Sequence, residues 1–413
     1  MSEHTHKRFV RRIEPVSPQW AAFLELGFRP LYLAGTLWAA TCVAIWIHAP
    51  TMITGTLSGV AWHAHEMLWG FVATIGVGFL LTAGTNWTGL NPLKGQALAA
   101  LTGLWLLARL GYLSPHPAAF WTAAFCESVF FAWAALALAR VIHAARSRRN
   151  YGVPALVVGL GAANVLYLAA AWQGDQGVLL GRFHAGLLCM AVLAMLIARR
   201  VIPFFAGRAV PGLSLPMHTS SGQWQLVAGV LAIAGLLLGW SAVAATALAV
   251  SGALTLWHVF AWRPWAVRHN PLLWVLYVGY AALGIGLLVA AAHEAGFALR
   301  VAWPAHLIGM AGFGVLIIGM VTRTALGHLG RPLRADLSMQ VSYVLVIAAA
   351  VLRLVALPPS GLTAPFLYAS SAAWMLAFAV YLWRFFPMLI RPRADSTAAK
   401  VPVNPQSTTR VTP

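Results

Sequence analysis

Residues 62–83 read WHAHEMLWGFVATIGVGFLLTA, and this stretch decides the class of fold. After Glu66 it is apolar apart from threonine, and about 20 such residues span a hydrocarbon core of about 30 Å. It therefore predicts a membrane-spanning helix. The helix opens with His63, His65 and Glu66. Ionisable side chains at membrane depth cost free energy and mark functional sites, so these three residues are the first site candidates.

The rest of the chain has the same character. Of its 413 residues, 60% are hydrophobic and only 9% are charged, against roughly 25% charged residues in soluble proteins. The sequence predicts an all-α, polytopic integral membrane bundle whose partner is the lipid bilayer. A basic cytoplasmic tail at 1–27 precedes a transmembrane domain at 28–390, and a disordered cytoplasmic tail follows at 391–413. About twelve transmembrane helices are predicted, at 28–48, 61–83, 95–113, 118–142, 153–172, 180–203, 223–239, 241–261, 271–292, 301–322, 337–356 and 364–386.

The basic residues give the orientation. Loops 49–60 and 114–117 contain no Lys or Arg, whereas the alternate loops carry one to three each. Cytoplasmic loops are enriched in Lys and Arg, so both termini are predicted to be cytoplasmic. The net charge of +18 is therefore an orientation signal spread between apolar segments. Nucleic acid is not expected as a partner.

Three histidines recur at a regular interval of four spans. His63 opens span two, His184 opens span six and His306 opens span ten. This spacing favours a pseudo-threefold repeat of four-helix units, although chance alignment of apolar helices explains it equally well. Imidazole is the commonest protein ligand of transition metals, so all three are candidate ligands of haem iron or copper. Arg182, just before His184, is a candidate partner for a haem propionate.

His63 and His65 point to opposite faces, because two residues on a helix are about 200° apart. We expect His63 and His65 to serve different centres, with Glu66 on the face of His63 as its orienting group or as a catalytic proton relay. Histidines at a membrane interface are the plainer alternative. Farther along, Arg109 and Glu127 on neighbouring spans are expected to form a buried ion pair.

Several long motifs stand out along the chain. They are GFRP at 27–30, WHAHEM at 62–67, GFLLTA at 78–83, NWTG at 86–89, RVIPFF at 200–205, NPLL at 270–273, MVTR at 320–323 and LGHLGRPL at 326–333. Together they resemble the NnrS family, bacterial integral membrane proteins linked to the response to nitric oxide. The resemblance runs from about residue 25 to the end of the last span.

The resemblance implies a bacterial inner-membrane protein that contains haem and copper and gives resistance to nitrosative stress. It implies nitric oxide, or another small diatomic molecule, as a ligand that is bound or converted at the metal centre with an electron donor. No CxxCH motif is present, so the haem is expected to be non-covalent and b-type. The matched candidates include His63, His65, Glu66, Arg323 and His328, whereas Tyr277 stands where the family often has histidine.

Two other functions stay open from the sequence. Twelve spans with a repeat-like organisation also fit a proton-coupled transporter, in which the histidines and Glu66 would carry the protons. A non-enzymatic sensor or assembly factor for haem or metal is the third. The sequence contains no phosphate-binding loop, HExxH motif or serine elbow, so nucleotide hydrolysis and hydrolase chemistry lack support.

Overall fold

A computed structural model of the chain describes residues 17–297 and 300–395. Within these ranges the chain is helical and has no strand, which confirms the predicted all-α class. The twelve long helices α1–α12 are Phe28–His48, Gly59–Thr88, Gly95–Gly111, Pro117–Ala144, Gly152–Gln173, Gln176–Ala209, Thr219–Leu238, Ser241–Ala261, Pro271–Glu294, Ala302–His328, Leu337–Val355 and Thr363–Leu389. Most of the two predicted tails, at 1–16 and 396–413, lies outside the described residues.

Each predicted span coincides with one helix, and eleven helices are long and apolar enough to cross a membrane. Helix α3 differs because it has 17 residues. At 1.5 Å per residue it is about 25 Å long, slightly shorter than a typical hydrocarbon core. Helices α7 and α8 are separated by Gly239, whose φ of +72° is a left-handed conformation that ends α7.

The helices form a bundle in which most chain neighbours pack together and α12 packs against α1. Helices α2 and α6 are the most enclosed. In their most apolar windows 83% and 78% of the residues are buried, compared with 33% in α7, α11 and α12. The helices that carry His63 and His184 therefore lie at the centre of the bundle.

Helices α2 and α10 each contain a π-helical segment, at Glu66–Ala73 and Leu307–Gly314. Each segment directly follows a candidate histidine, His65 in α2 and His306 in α10. The two segments contact each other in the centre of the bundle. π-Helical turns are rare and occur frequently at functional sites. Helix α6 continues as a regular α-helix past His184, so the predicted threefold repeat stays a prediction.

The loop between α10 and α11 ends in a helix cap made by Asp336. Its Oδ1 accepts hydrogen bonds from the Met339 amide at 3.1 Å and the Ser338 hydroxyl at 2.6 Å, and its Oδ2 accepts one from Arg384 Nε at 2.7 Å. Partial burial would raise the pKa of this carboxyl, but these hydrogen bonds outweigh burial and lower the pKa below its ordinary value.

Candidate cofactor site

His63, His184 and His306 line one cavity of about 500 Å³, at the end of the bundle where α2, α6 and α10 begin. We call this space the histidine cavity. Most of its wall is apolar, and Arg353 of α11 is a cation in it. Its volume is in the range of about 300–1,000 Å³ that ligand sites occupy. The structure thus brings together three candidates that lie far apart in the sequence.

Two of the three imidazoles have a buried nitrogen without a hydrogen bond. The His63 ring stacks on Trp46, with ring centroids 5.2 Å apart, and its Nδ1 is buried and unpartnered. His184 Nε2 is also buried and unpartnered. Native proteins rarely leave a buried polar atom unpaired, and a bound ion or ligand is a common explanation. Either nitrogen is therefore available to a ligand in the cavity.

His306 is placed differently. Its Nδ1 donates to the Ala302 carbonyl oxygen at 2.8 Å, so its Nε2 carries the lone pair. That Nε2 accepts a hydrogen bond from Arg353 Nε at 3.1 Å. The cation of the cavity wall is thus Arg353, which the sequence analysis did not single out. Arg182 is half-buried and is not among the residues that line the cavity.

His65 does not line the histidine cavity and lies in a cluster of four ionisable side chains. We call His65, Glu66, Arg109 and Glu127 the buried quartet, and all four are at most 1% exposed. Arg109 Nη1 donates to Glu66 Oε2 at 2.7 Å, and Arg109 also pairs with Glu127. The predicted Arg109–Glu127 ion pair is therefore confirmed.

Both ring nitrogens of His65 face carboxylates. Nδ1 lies 2.9 Å from Glu66 Oε1, and Nε2 lies 3.0 Å from Glu127 Oε2. Nε2 is also 2.9 Å from Asn164 Oδ1, and the Asn164 amide donates to Glu127 Oε2, which fixes the orientation of that amide. With Glu66 and Glu127 as carboxylates, both nitrogens donate and His65 is an imidazolium. Two cations and two anions then balance.

This geometry changes two expectations. An imidazolium has no free lone pair for a metal, so these contacts do not support His65 as a ligand, and that role stays a prediction. Glu66 accepts hydrogen bonds from Trp38, His65 and Arg109, so the expectation that it orients His63 is wrong. The spacing argument itself is confirmed, because His63 and His65 do face different environments.

Arg323 and His328 are on the same helix as His306 but near its other end. His328 Nε2 is 3.5 Å from the Asn86 amide, and the Arg323 guanidinium lies 3.9 Å from the centre of the Phe205 ring. The 22 residues between His306 and His328 correspond to about 33 Å of helix. Neither residue lines the histidine cavity. Any cofactor role for them would need a second site at the opposite end of the bundle.

Tyr277 also lies outside the cavity wall. It is buried in α9, and its hydroxyl donates to the Trp262 carbonyl oxygen at 2.9 Å. The hydroxyl therefore joins α9 to the end of α8 and has no contact with the candidate histidines. Its replacement of a histidine does not remove a group from the histidine cavity.

The cavity fits a haem better than a copper ion. A haem requires an apolar space, an imidazole with a free nitrogen and a cation near its propionates. The histidine cavity provides all three. In contrast, no three His, Cys, Asp or Glu side chains within residues 17–297 and 300–395 are grouped so as to hold a metal ion. Copper binding therefore gains no support from these side chains and stays a prediction.

A known family model matches nearly the whole chain. The model of the family described as NnrS protein matches residues 22–393. No curated protein matches the chain. The match covers nearly the whole chain, including every helix that lines the histidine cavity or contributes to the buried quartet. The chain therefore belongs to the NnrS family.

Proposed function

We propose that the protein is a haem-binding inner-membrane protein that acts in the response to nitric oxide. One observation carries this proposal: two imidazoles with unpartnered buried nitrogens face an apolar cavity of about 500 Å³ that also contains a cation. Membership of the NnrS family supports the link to nitric oxide. A non-covalent haem agrees with the absence of a CxxCH motif.

The residues of the cavity have separate roles in this proposal. His63 and His184 would hold the haem through their unpartnered ring nitrogens, and Trp46 stacks on the His63 ring. Arg353, hydrogen-bonded to His306, attracts the propionate end of the cofactor. When bound, haem would supply an iron that binds nitric oxide. The protein side chains hold the cofactor and exclude water, because most of the lining is apolar.

The transporter alternative receives less support from the contacts of Glu66. A proton-coupling carboxylate needs access to an aqueous path. Glu66 is fully buried and accepts three hydrogen bonds, and it is not among the residues of the cavity wall. The buried quartet therefore fits a structural role better than a role in proton coupling.

The first experiment is a visible spectrum of the purified protein, oxidised and reduced, together with an iron and copper determination. We expect a Soret band that shifts on reduction and again with nitric oxide. His63→Ala and His184→Ala should each lower the haem content. His143→Ala is the matched control, because His143 is exposed near the opposite end of the bundle and lies outside the cavity.

Two outcomes would contradict the proposal. A purified protein that is folded but colourless and free of iron would show that haem is not bound. Unchanged haem in the double variant His63→Ala/His184→Ala would place the cofactor elsewhere. Consumption of nitric oxide with an added electron donor would indicate an enzyme, whereas binding without turnover would indicate a sensor or an assembly factor.

We further propose that α3 crosses the membrane with the other eleven helices, so that both termini lie on the same side. The basic loops support the cytoplasm as that side, because cytoplasmic loops are enriched in Lys and Arg. Reporter fusions after Gly89 and near His116 test this, since these positions lie on either side of α3. Opposite signals are expected, and equal signals would mean that α3 does not cross.

A further inference from the structure

A second cavity lies between the central helices, deeper in the bundle than the histidine cavity. Its volume is about 90 Å³, and its wall comes from the middle parts of α2, α6 and α10 together with one residue each of α1 and α9. We call it the mid-membrane cavity. Val72 and Phe313 line both cavities. The two spaces are therefore neighbours that share a wall of two side chains.

The apolar lining of the mid-membrane cavity limits the kind of molecule that it can bind. Tyr32 is the only residue of the lining with a polar side chain, and the others are aliphatic, aromatic, methionine or glycine. A buried water needs two to four polar partners, so the cavity is expected to be dry. Dry apolar cavities of about 150 Å³ bind xenon or benzene. A volume of about 90 Å³ admits a neutral molecule of a few atoms and excludes charged or larger ligands.

The mid-membrane cavity also faces the outside of the bundle. Several of its lining residues are partly exposed, although they lie in the middle of their helices: Phe79, Ala194, Ile197, Val201 and Met320. They belong to α2, α6 and α10, so the partly exposed side lies where these helices meet. At this depth the surroundings are lipid chains, in which small apolar molecules dissolve and ions do not.

From this geometry we infer that the mid-membrane cavity is a binding site for a neutral diatomic molecule and its route from the bilayer to the histidine cavity. The inference of a binding site depends only on the cavity itself. The route rests also on the proposed function, because its destination is the cofactor. Val72 and Phe313 are then the residues that a molecule must pass between the two cavities.

Xenon is the probe for the binding site, because it is apolar and does not react with haem. The ¹²⁹Xe resonance is recorded for the whole purified protein in detergent as the protein concentration rises. Ala194→Phe should fill the mid-membrane cavity and remove its contribution to the protein-specific shift, leaving that of the histidine cavity. Ala162→Phe is the matched control, because Ala162 is exposed in the middle of α5, away from both cavities.

A smaller substitution keeps the test valid if Ala194→Phe does not fold. In Gly76→Ala the added Cβ would lie 3.3 Å from Met190 Cε, the flexible end of that side chain, so the helix packing can adjust. A reduced xenon shift is expected in Gly76→Ala and Ala194→Phe, with a wild-type shift in Ala162→Phe. Equal shifts in all four proteins would overturn the site, as would a bound lipid chain that fills this space.

The route is tested by the rate at which nitric oxide rebinds to the cofactor after photolysis. At unchanged haem content, Ala194→Phe should slow rebinding about tenfold, which corresponds to a barrier higher by about 1.4 kcal/mol. Unchanged rates with a lost xenon shift would keep the binding site and reject the route. A protein without haem whose xenon shift still falls in Ala194→Phe would reject the proposed function and support the binding site.

Discussion

Neutralising Glu127 should destabilise the protein strongly, because its charge balances the buried quartet. In Glu127→Gln, Arg109 and His65 keep their positive charges and face one carboxylate, that of Glu66. In the intact protein Tyr112 and Asn164 donate hydrogen bonds to the negatively charged Glu127 carboxylate, at 3.0 and 2.9 Å. The glutamine amide is neutral and accepts these hydrogen bonds more weakly. One positive charge is left unbalanced among residues that are at most 1% exposed.

The magnitude follows from the distances. At 3.0 Å between His65 Nε2 and Glu127 Oε2, the attraction of two unit charges is about 5–6 kcal/mol with an effective dielectric constant of about 20. Desolvation of the charges offsets part of this attraction in the intact protein. Breaking a buried ion pair from one side typically costs about 3–5 kcal/mol. We expect Glu127→Gln to lose that much free energy of unfolding.

The assay is unfolding in mixed detergent and SDS micelles, applied to a double-mutant cycle. Arg109→Met/Glu127→Gln removes one charge of each sign and leaves His65 paired with Glu66. The double variant should therefore be more stable than the sum of the single losses predicts, by about 2–3 kcal/mol. The control is Glu294→Gln, a partly exposed carboxylate, with an expected loss below about 1 kcal/mol. Additive losses would refute the charge balance and with it the imidazolium state of His65.

Three further outcomes follow from single contacts. Asp336→Asn should lower stability at neutral pH by less than about 1 kcal/mol, because asparagine still caps the helix and only the partly exposed ion pair with Arg384 is lost. Because the folded-state pKa of Asp336 is lowered, its contribution should be present above the unfolded-state pKa and disappear as the pH falls through the folded value, which a pH series of unfolding curves measures. Gly186→Ala should cost about 1–3 kcal/mol, because the new Cβ would lie 2.5 Å from Trp69 Cζ2, and thermal unfolding would show this. Tyr277→Phe should cost about 1 kcal/mol through loss of the hydrogen bond to Trp262 and leave the haem content unchanged, which spectra of matched samples check.

The fold was predictable because apolar length decides it. Twelve segments of about 20 apolar residues gave twelve helices, and even the break at Gly239 was placed within a residue or two. The meeting of His63, His184 and His306 was also within reach, since each opens a helix on the same predicted side of the membrane. Positions at helix ends depend on topology, and topology follows from hydropathy and the basic loops.

The details of the site depend on contacts that the sequence does not contain. A spacing of three residues predicts that Glu66 lies near the face of His63, but it does not reveal that Trp38, His65 and Arg109 are the hydrogen-bond partners of the carboxylate. In the sequence Arg353 is an ordinary arginine near the end of a helix. Only the packing of α11 against α10 brings it to His306. Its lone position inside span 337–356 was the one available signal, because an ionisable residue in a span marks a site.

The two histidines of the WHAHEM segment have different positions: His63 lines the histidine cavity, and His65 belongs to the buried quartet. Tyr167 lines the histidine cavity and also stacks on His65, with ring centroids 5.8 Å apart, so the buried quartet lies directly behind the cavity wall. A balanced quartet exerts little net electrostatic field on the cavity, although it ties α2 to α3, α4 and α5. The charge that a cofactor meets there is then that of Arg353. The position of His63 depends on the rigidity of the quartet, whereas the polarity of its cavity depends on a helix more than 250 residues further along the chain.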